Sequence, residues 1–200
     1  MWREFLSDML VLSLRDPARA GALLQTARAP RDILWQMFAL VVCLSGLLQY
    51  TVVALLGDAV ARQTPTGTPL LTVAVMACLL TVLIFALYFT ARMMGGQGSF
   101  PGTILIVTAV QALLLVGQVL QIAAFLILPG LGTLVFFVTL WITLRAAAHY
   151  VDALHGFGSV FQASMVLIVA VVGLSFGMAL IVSLISLLTG FEMTVEFDNV

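Results

Sequence analysis

Long apolar runs alternate with short polar stretches along this 200-residue chain. Runs of about 18 or more apolar residues are long enough to cross a bilayer as helices. The pattern therefore predicts an all-α integral membrane protein, a five-helix bundle with amphipathic helices at its N-terminus. We place the spans at residues 33–56, 70–91, 103–128, 133–148 and 159–189. The fourth run is short, and the stretch PGLG at 129–132 before it is interpreted as a tight turn.

Residues 1–32 have a different pattern, with apolar residues repeating at the spacing of one helix face. These apolar residues are Trp2, Phe5, Leu6, Met9 and Leu10. Such a helix is expected to lie in the membrane interface or to pack on the cytoplasmic ends of the bundle. Asp16 and Pro17 suit the cap and first position of a second short helix, which is expected to end before Pro30.

Composition supports the membrane assignment, because 62% of the residues are apolar and only 8% are charged. Soluble proteins contain roughly 45–50% apolar and 25% charged residues. The net charge of −1 gives no indication of nucleic-acid binding. Cys43 and Cys78 both lie inside apolar runs, so we expect small core residues rather than a disulfide or a metal pair.

Arginine positions predict the orientation, because cytoplasmic loops carry an excess of positive residues. With the N-terminus inside, the N-terminal segment, Arg92 and Arg145 lie in the cytoplasm, and only Arg62 lies outside. Five spans then place the acidic tail, residues 190–200, in the periplasm. A count of four or six spans would place this tail inside. The many arginines and the lack of lysine favour a bacterial inner-membrane protein.

The stretch RMMGGQGSF at residues 92–100 interrupts the apolar pattern. It lacks the Gly-Lys-Ser/Thr of a phosphate-binding loop, and no strand precedes it as in a dinucleotide fingerprint. Glycines can take positive φ and end a helix, and a serine can cap the next one. We therefore predict a structural turn between the second and third spans, formed by Arg92, Gly95, Gly96, Gly98 and Ser99.

A polar cluster begins at Arg145, which we place in the last turn of the fourth span with its side chain reaching the interface. Arg145, His149 and Asp152 share a helix face if the helix continues, with His155 close by. A His–Asp pair could move protons or bind a metal. No glutamate or cysteine joins it, however. We favour a polar helix end facing water, lipid headgroups or the N-terminal helices.

Two further features lie inside the spans. Gln111, Gln118 and Gln121 lie on one side of the third span and could line a polar path. We favour hydrogen bonds to neighbouring helices, such as the last one with its serines 164, 175 and 183. Gly173 and Gly177 form a GxxxG pattern, which favours close helix packing within the bundle or with another protein.

Three stretches in this order resemble the Yip-domain family: RDPARAGALLQTARAPRDILWQM, RMMGGQGSFPGTILIVTAVQ and AAAHYVDALHGFGSVFQASMVLIV. The resemblance covers about residues 15–189. It implies a small five-span membrane protein with a cytoplasmic N-terminus. Eukaryotic members of this family act in early secretory traffic and interact with Rab-type GTPases. The chain lacks the long polar N-terminal region of those members and is similar to bacterial ones. The resemblance implies no catalytic residues.

No nucleophile–base set and no metal-ligand set is present in the sequence, so we expect neither enzymatic activity nor a cofactor. The leading hypothesis is a scaffold or accessory subunit of a larger membrane assembly, or a membrane-organising protein. Its partners would be membrane lipids and other membrane subunits or further copies of itself. The alternatives are a small-solute or ion permease that uses the glutamine face and a membrane enzyme that uses His149, Asp152 and His155.

Overall fold

A computed structural model describes residues 2–26, 29–56 and 69–189; the side chains of residues 2–8, 52–56, 69, 185 and 189 lie outside this description. The described residues form helices and no strands. In chain order these helices are α1 (Trp2–Arg15), α2 (Pro17–Thr26), α3 (Arg31–Leu56), α4 (Pro69–Met93), α5 (Phe100–Ile127), α6 (Pro129–His155) and α7 (Val160–Thr189).

Helices α3 to α7 are each long and apolar enough to cross a membrane. This confirms the predicted fold class, an all-helical membrane protein with five spans. The predicted loop at 57–69 lies outside the described residues except for its last residue, and so do Arg62 and the acidic tail at 190–200.

Helix α5 lies at the centre of the bundle. In the most apolar stretch of 18 residues of α5, 50% is buried inside the protein, whereas in the corresponding stretches of α4 and α7 only 11% is buried. It packs against α3 on one side and α6 on the other, while α4 and α7 pack against each other. Helix α6 can approach closely because a side chain at Gly117 would collide with Thr139. The outer helices therefore expose most of their apolar surface, as expected for helices in contact with lipid.

Helices α1 and α2 lie across the end of α6 and pack into the bundle. The backbone N–H of Arg19 donates to the Asp16 carboxylate at 3.3 Å, which caps α2 as its sequence predicts. Met9 belongs to the core and Leu10 packs against it. These two residues therefore pack on the end of the bundle, as in the second of the two predicted arrangements. The side chains of Trp2, Phe5 and Leu6 lie outside the described residues.

Helix α6 differs from its prediction at both ends. The tight turn expected at residues 129–132 is wrong, because these residues form the first turn of the helix. Proline suits the first turn of a helix since its missing N–H has no partner there. The helix also continues past Ala148 to His155, where Gly156 ends it in the left-handed conformation at φ 68°. It has 27 residues and is not a short span.

Two expectations about single side chains are also wrong. Cys43 and Cys78 are free thiols on the exposed surfaces of α3 and α4 rather than core residues. An apolar run indicates a span but does not show which face of the helix is buried. A thiol is tolerated in contact with lipid as well as in a protein core, so the cysteines gave no further indication. Arg145 is exposed as expected, but ten residues of α6 follow it, so it does not lie in the last turn.

Candidate functional site

A turn at residues 94–99, which we call the glycine turn, connects α4 to α5. Gly95 has a φ of 90°, which few residues other than glycine adopt. The N–H of Gly96 donates to the carbonyl of Ala91 at 2.8 Å and closes the end of α4. Ser99 is extended, and its hydroxyl accepts from the N–H of Gly102 at 3.3 Å. The turn thus ends α4 at its glycines and caps α5 with Ser99, as the sequence predicts.

The ring of His155, the last residue of α6, packs directly under the glycine turn. A Cβ on Gly98 would lie 2.6–2.9 Å from three atoms of this ring, and a Cβ on Gly96 would lie 2.9 Å from one ring atom, Cδ2, and 2.9 Å from the Cβ of His155. The N–H of Gln97 donates to the backbone carbonyl of His155 at 3.0 Å. Glycine is therefore required at both positions by the histidine, in addition to any need for turn geometry.

Hydrogen bonding assigns the tautomer of His155. Its Nδ1 lies 3.1 Å from the carbonyl oxygen of Val151, and a carbonyl can only accept, so Nδ1 carries the proton in the neutral ring. The other nitrogen, Nε2, is then an acceptor. It is buried and has no hydrogen-bond partner among the described residues. The ring also stacks on Phe157, with centroids 5.7 Å apart.

The predicted polar cluster is not a single water-facing surface. His155 is only 1% exposed, which corrects the expectation that it faces water. Asp152 is half-buried, and its carboxylate accepts from the N–H of Ser159 at 3.0 Å, just before α7 begins. His149 is half-buried, and its backbone carbonyl faces Gly21 of α2. Within the described residues no three His, Cys, Asp or Glu side chains group as metal ligands.

Two further contacts at this end involve residues that the sequence analysis did not single out. Gln162 of α7 donates from its side-chain amide to the carbonyl of Met94 at 3.1 Å. The hydroxyls of Ser13 and Tyr150 are hydrogen-bonded and buried, which fastens α1 to α6. No sequence pattern pairs residues so far apart. The local signal was limited to a tyrosine, Tyr150, close to three alanines at a helix end that also carries His149, Asp152 and His155.

A cleft of about 440 Å³ opens beside the glycine turn and the end of α6. Its walls come from α2, the first turns of α3 and α5, the glycine turn and the end of α6. The residues that line it are Gly21, Leu24, Gln25, Ala29, Leu34, Gln97, Gly98, Ser99, Pro101, Gly102, Leu105, Ile106, Tyr150 and Leu154. Two segments that carry the sequence resemblance, α2 and the glycine turn, thus both line one cavity.

The Yip1 domain family model matches residues 11–181, which include α2, the glycine turn, the cleft and His155. The chain belongs to the Yip1 domain family. No curated protein and no solved structure shows significant similarity to it. Membership agrees with the helical fold and the five apolar helices, and this family of membrane proteins is not known for enzymatic activity.

One residue of the glutamine face of this Yip1 domain, Gln111, bonds to a neighbouring helix, although not to the last one. The amide of Gln111 donates to the hydroxyl of Ser45 on α3 at 3.3 Å, and both side chains are buried. Ser164 and Ser175 on α7 instead donate to carbonyls of their own helix, at 2.8 and 2.9 Å. The predicted hydrogen bond to a neighbouring helix is confirmed for Gln111. The helix given as the example was not the partner, because helical spacing gives the face of a residue but not the neighbour across from it.

The other two glutamines have different surroundings. The side-chain oxygen of Gln118 is buried without a hydrogen-bond partner among the described residues, and so is the hydroxyl of Thr143 on α6. Gln121 is half-buried. The three glutamines of α5 therefore do not form one continuous hydrogen-bonded set.

Gly173 and Gly177 lie near the middle of α7, on a part of the helix that is mostly exposed. No atom comes within 4 Å of a Cβ built on either glycine. The same helix is packed earlier, since Ala163, Val166 and Ala170 are fully buried. Of the two kinds of packing that the GxxxG pattern favours, packing within the bundle is therefore absent from the part of the chain that the structure describes.

Proposed function

We propose that this Yip1-domain protein is a non-enzymatic scaffold or accessory subunit of a larger membrane assembly, or a protein that organises the membrane around it. We place it in the inner membrane of a bacterium with its N-terminus in the cytoplasm and its C-terminus in the periplasm. The arginine distribution supports this orientation. Its partners would be lipids together with other membrane subunits or further copies of the chain.

The observation that carries the proposal is the unpacked face of α7 at Gly173 and Gly177. Its inner face continues the buried positions 163, 166 and 170 with Gly173 and Gly177, at helical spacings of three and four residues. Small residues allow another helix backbone to approach closely, which is how spanning helices associate without a hydrophobic driving force. This surface suits a helix of another subunit.

The test is to isolate the complex from native membranes with crosslinking and blue-native electrophoresis. We expect a species larger than the monomer that is lost in Gly177→Leu. The matched control is Val172→Leu, which adds bulk on the same helix at a side chain that is 61% exposed. A monomer under every detergent condition, or equal loss in both variants, would contradict the subunit role.

A second candidate, a small-solute or ion permease, is favoured by the unpartnered polar atoms of Gln118 and Thr143 inside the spans. Buried polar atoms in a membrane protein commonly mark a pathway for polar species. Purified protein in proteoliposomes should then move a solute faster than empty liposomes, and Gln118→Leu should abolish the flux. Flux that Gln118→Leu leaves unchanged would rule this candidate out.

A further inference from the structure

We propose that the contact between His155 and the glycine turn is a pH-sensitive latch, closed while the ring is neutral and opened when the ring takes up a proton from water. The word latch stands for the His155 ring together with Gly96, Gln97 and Gly98. Opening releases the turn from the end of α6. Such a latch is a regulatory element at this end of the bundle and requires neither a partner subunit nor a solute pathway.

The closed latch has no place for a second proton on the ring. Nδ1 already uses its hydrogen in the bond to the Val151 carbonyl at 3.1 Å. A second proton would lie on Nε2, which is buried and has no hydrogen-bond partner among the described residues. The same edge of the ring lies against Gly98, where a Cβ would come within 2.7 Å of Nε2. A charged ring would therefore lack both water and an acceptor, so the closed form is a neutral form.

The charged groups around the latch do not compensate a positive ring. Arg92, in the last turn of α4, is a like charge that opposes protonation. The Asp152 carboxylate accepts from the backbone N–H of Ser159, and Arg19 at the start of α2 pairs with Asp16 at 3.2 Å. The sequences of the glycine turn, α5 and α7 contain no titratable side chain. The other titratable side chains of α6 lie more than one turn back along the helix: Arg145, His149 and Tyr150.

The open latch, by contrast, can hold the proton. A histidine in water is protonated below about pH 6.5. Because the closed form binds one proton fewer, opening becomes more favourable as the pH falls, by up to about tenfold per pH unit. Water reaches the surroundings of the latch, since the side chains of Arg92 and Gln97 are exposed.

Opening changes contacts that connect four helix ends. The N–H of Gln97 leaves the backbone carbonyl of His155, to which it donates at 3.0 Å. The side chain of Gln162 on α7 donates to Met94 of the same turn at 3.1 Å, so α7 is connected to the part that moves. Gly98 also belongs to the wall of the cleft. A fall in pH therefore alters the cavity between α2 and the glycine turn.

Hydrogen–deuterium exchange of the full-length protein in detergent tests the latch directly. Exchange rates are divided by those of an unstructured peptide of the same sequence, so that the ratio reports local opening. We expect the protection of the Gly96 and Gln97 amides to fall about tenfold between about pH 7.5 and about pH 5.5. Amides in the centre of α5, at residues 106–113, should keep their protection over this range because the bundle stays folded.

Two asparagine substitutions separate the two histidines of the chain. His155→Asn keeps a donor for the Val151 carbonyl but cannot take up a proton, so its protection should be independent of pH. His149→Asn is the matched control on the same helix and should keep the dependence of the unmodified protein. If His155→Asn does not fold, NMR of His149→Asn decides, because His155 is then the only histidine. Its ring should titrate over the pH range in which the turn loses protection.

Three exchange results would overturn the proposal: constant protection of the turn across the pH range, an equal pH dependence in His155→Asn, or simultaneous loss of protection in the centre of α5. A ring that titrates while the turn stays protected would overturn it as well. A pH dependence that disappears in His155→Asn and persists in His149→Asn supports the latch.

Discussion

Two pairs of glycines in this chain differ in their surroundings. Gly96 and Gly98 lie against the ring of His155, so any side chain at either position would collide with it. Gly173 and Gly177 lie on a helix face where a side chain would meet nothing within 4 Å. The first pair completes a packed junction of four helix ends, and the second pair leaves a surface open.

The difference shows that the role of a glycine is set by what lies across from it. At the glycine turn the missing side chain makes room for a contact within the chain. On α7 it leaves room that the chain does not fill, which is why we assign that surface to another molecule. The predictions below test this contrast through the free energy of unfolding, measured by SDS titration in mixed micelles with tryptophan fluorescence.

The largest effect is expected when the same bulky side chain is placed in both regions. Gly98→Leu should destabilise the protein by about 3 kcal/mol, because the packed junction must open to admit it. Gly173→Leu should change the unfolding free energy by less than about 0.5 kcal/mol. Comparable losses in the two variants would show that α7 is packed around Gly173 in the isolated protein.

The contact between the turn and the histidine can be isolated by a double-mutant cycle. Gly98→Ala and His155→Ala should each destabilise, but the double variant should lose about 1 kcal/mol less than their sum, because the smaller residue 155 makes room for the new Cβ. Gly130→Ala combined with His155→Ala is the control and should be additive. Additivity in both pairs would mean that the ring does not require Gly98.

The fastening of α1 to the bundle should give a smaller effect. Tyr150→Phe removes the buried hydrogen bond to Ser13 and should lower the unfolding free energy by about 1 kcal/mol. Tyr50→Phe makes the same change at an exposed tyrosine on α3 and should have almost no effect. Should the two variants be equally stable, α1 is not held by this hydroxyl pair.

The smallest effect should have the opposite sign. Gly177→Ala places a methyl group in open space within a helix and should stabilise the protein by about 0.5 kcal/mol, since alanine loses less backbone freedom than glycine. Gly96→Ala is the comparison and should destabilise, because its Cβ would lie 2.9 Å from the His155 ring. A loss of stability in Gly177→Ala would indicate an unseen contact.

Much of the fold followed from local sequence. The five spans, the start of α2 at Asp16–Pro17 and the cap at Ser99 depend on run length and on the few residue types that begin helices. The predictions of helix ends were wrong where one residue type is compatible with two local structures. Pro129 fits either a turn or the first turn of a helix, and here packing against α5, where Gly132 meets Phe125, is compatible with the helix.

The sequence by itself determined that this chain is a helical membrane protein with five apolar helices and which family it belongs to, because these depend on the solvation of whole segments and on short motifs. Only the tertiary structure decided that the glycine turn and His155 are one junction and that Gln111 bonds to Ser45 rather than to α7. Helical spacing fixes the face on which a side chain lies. Its neighbour depends on how the helices are arranged, which no single segment encodes.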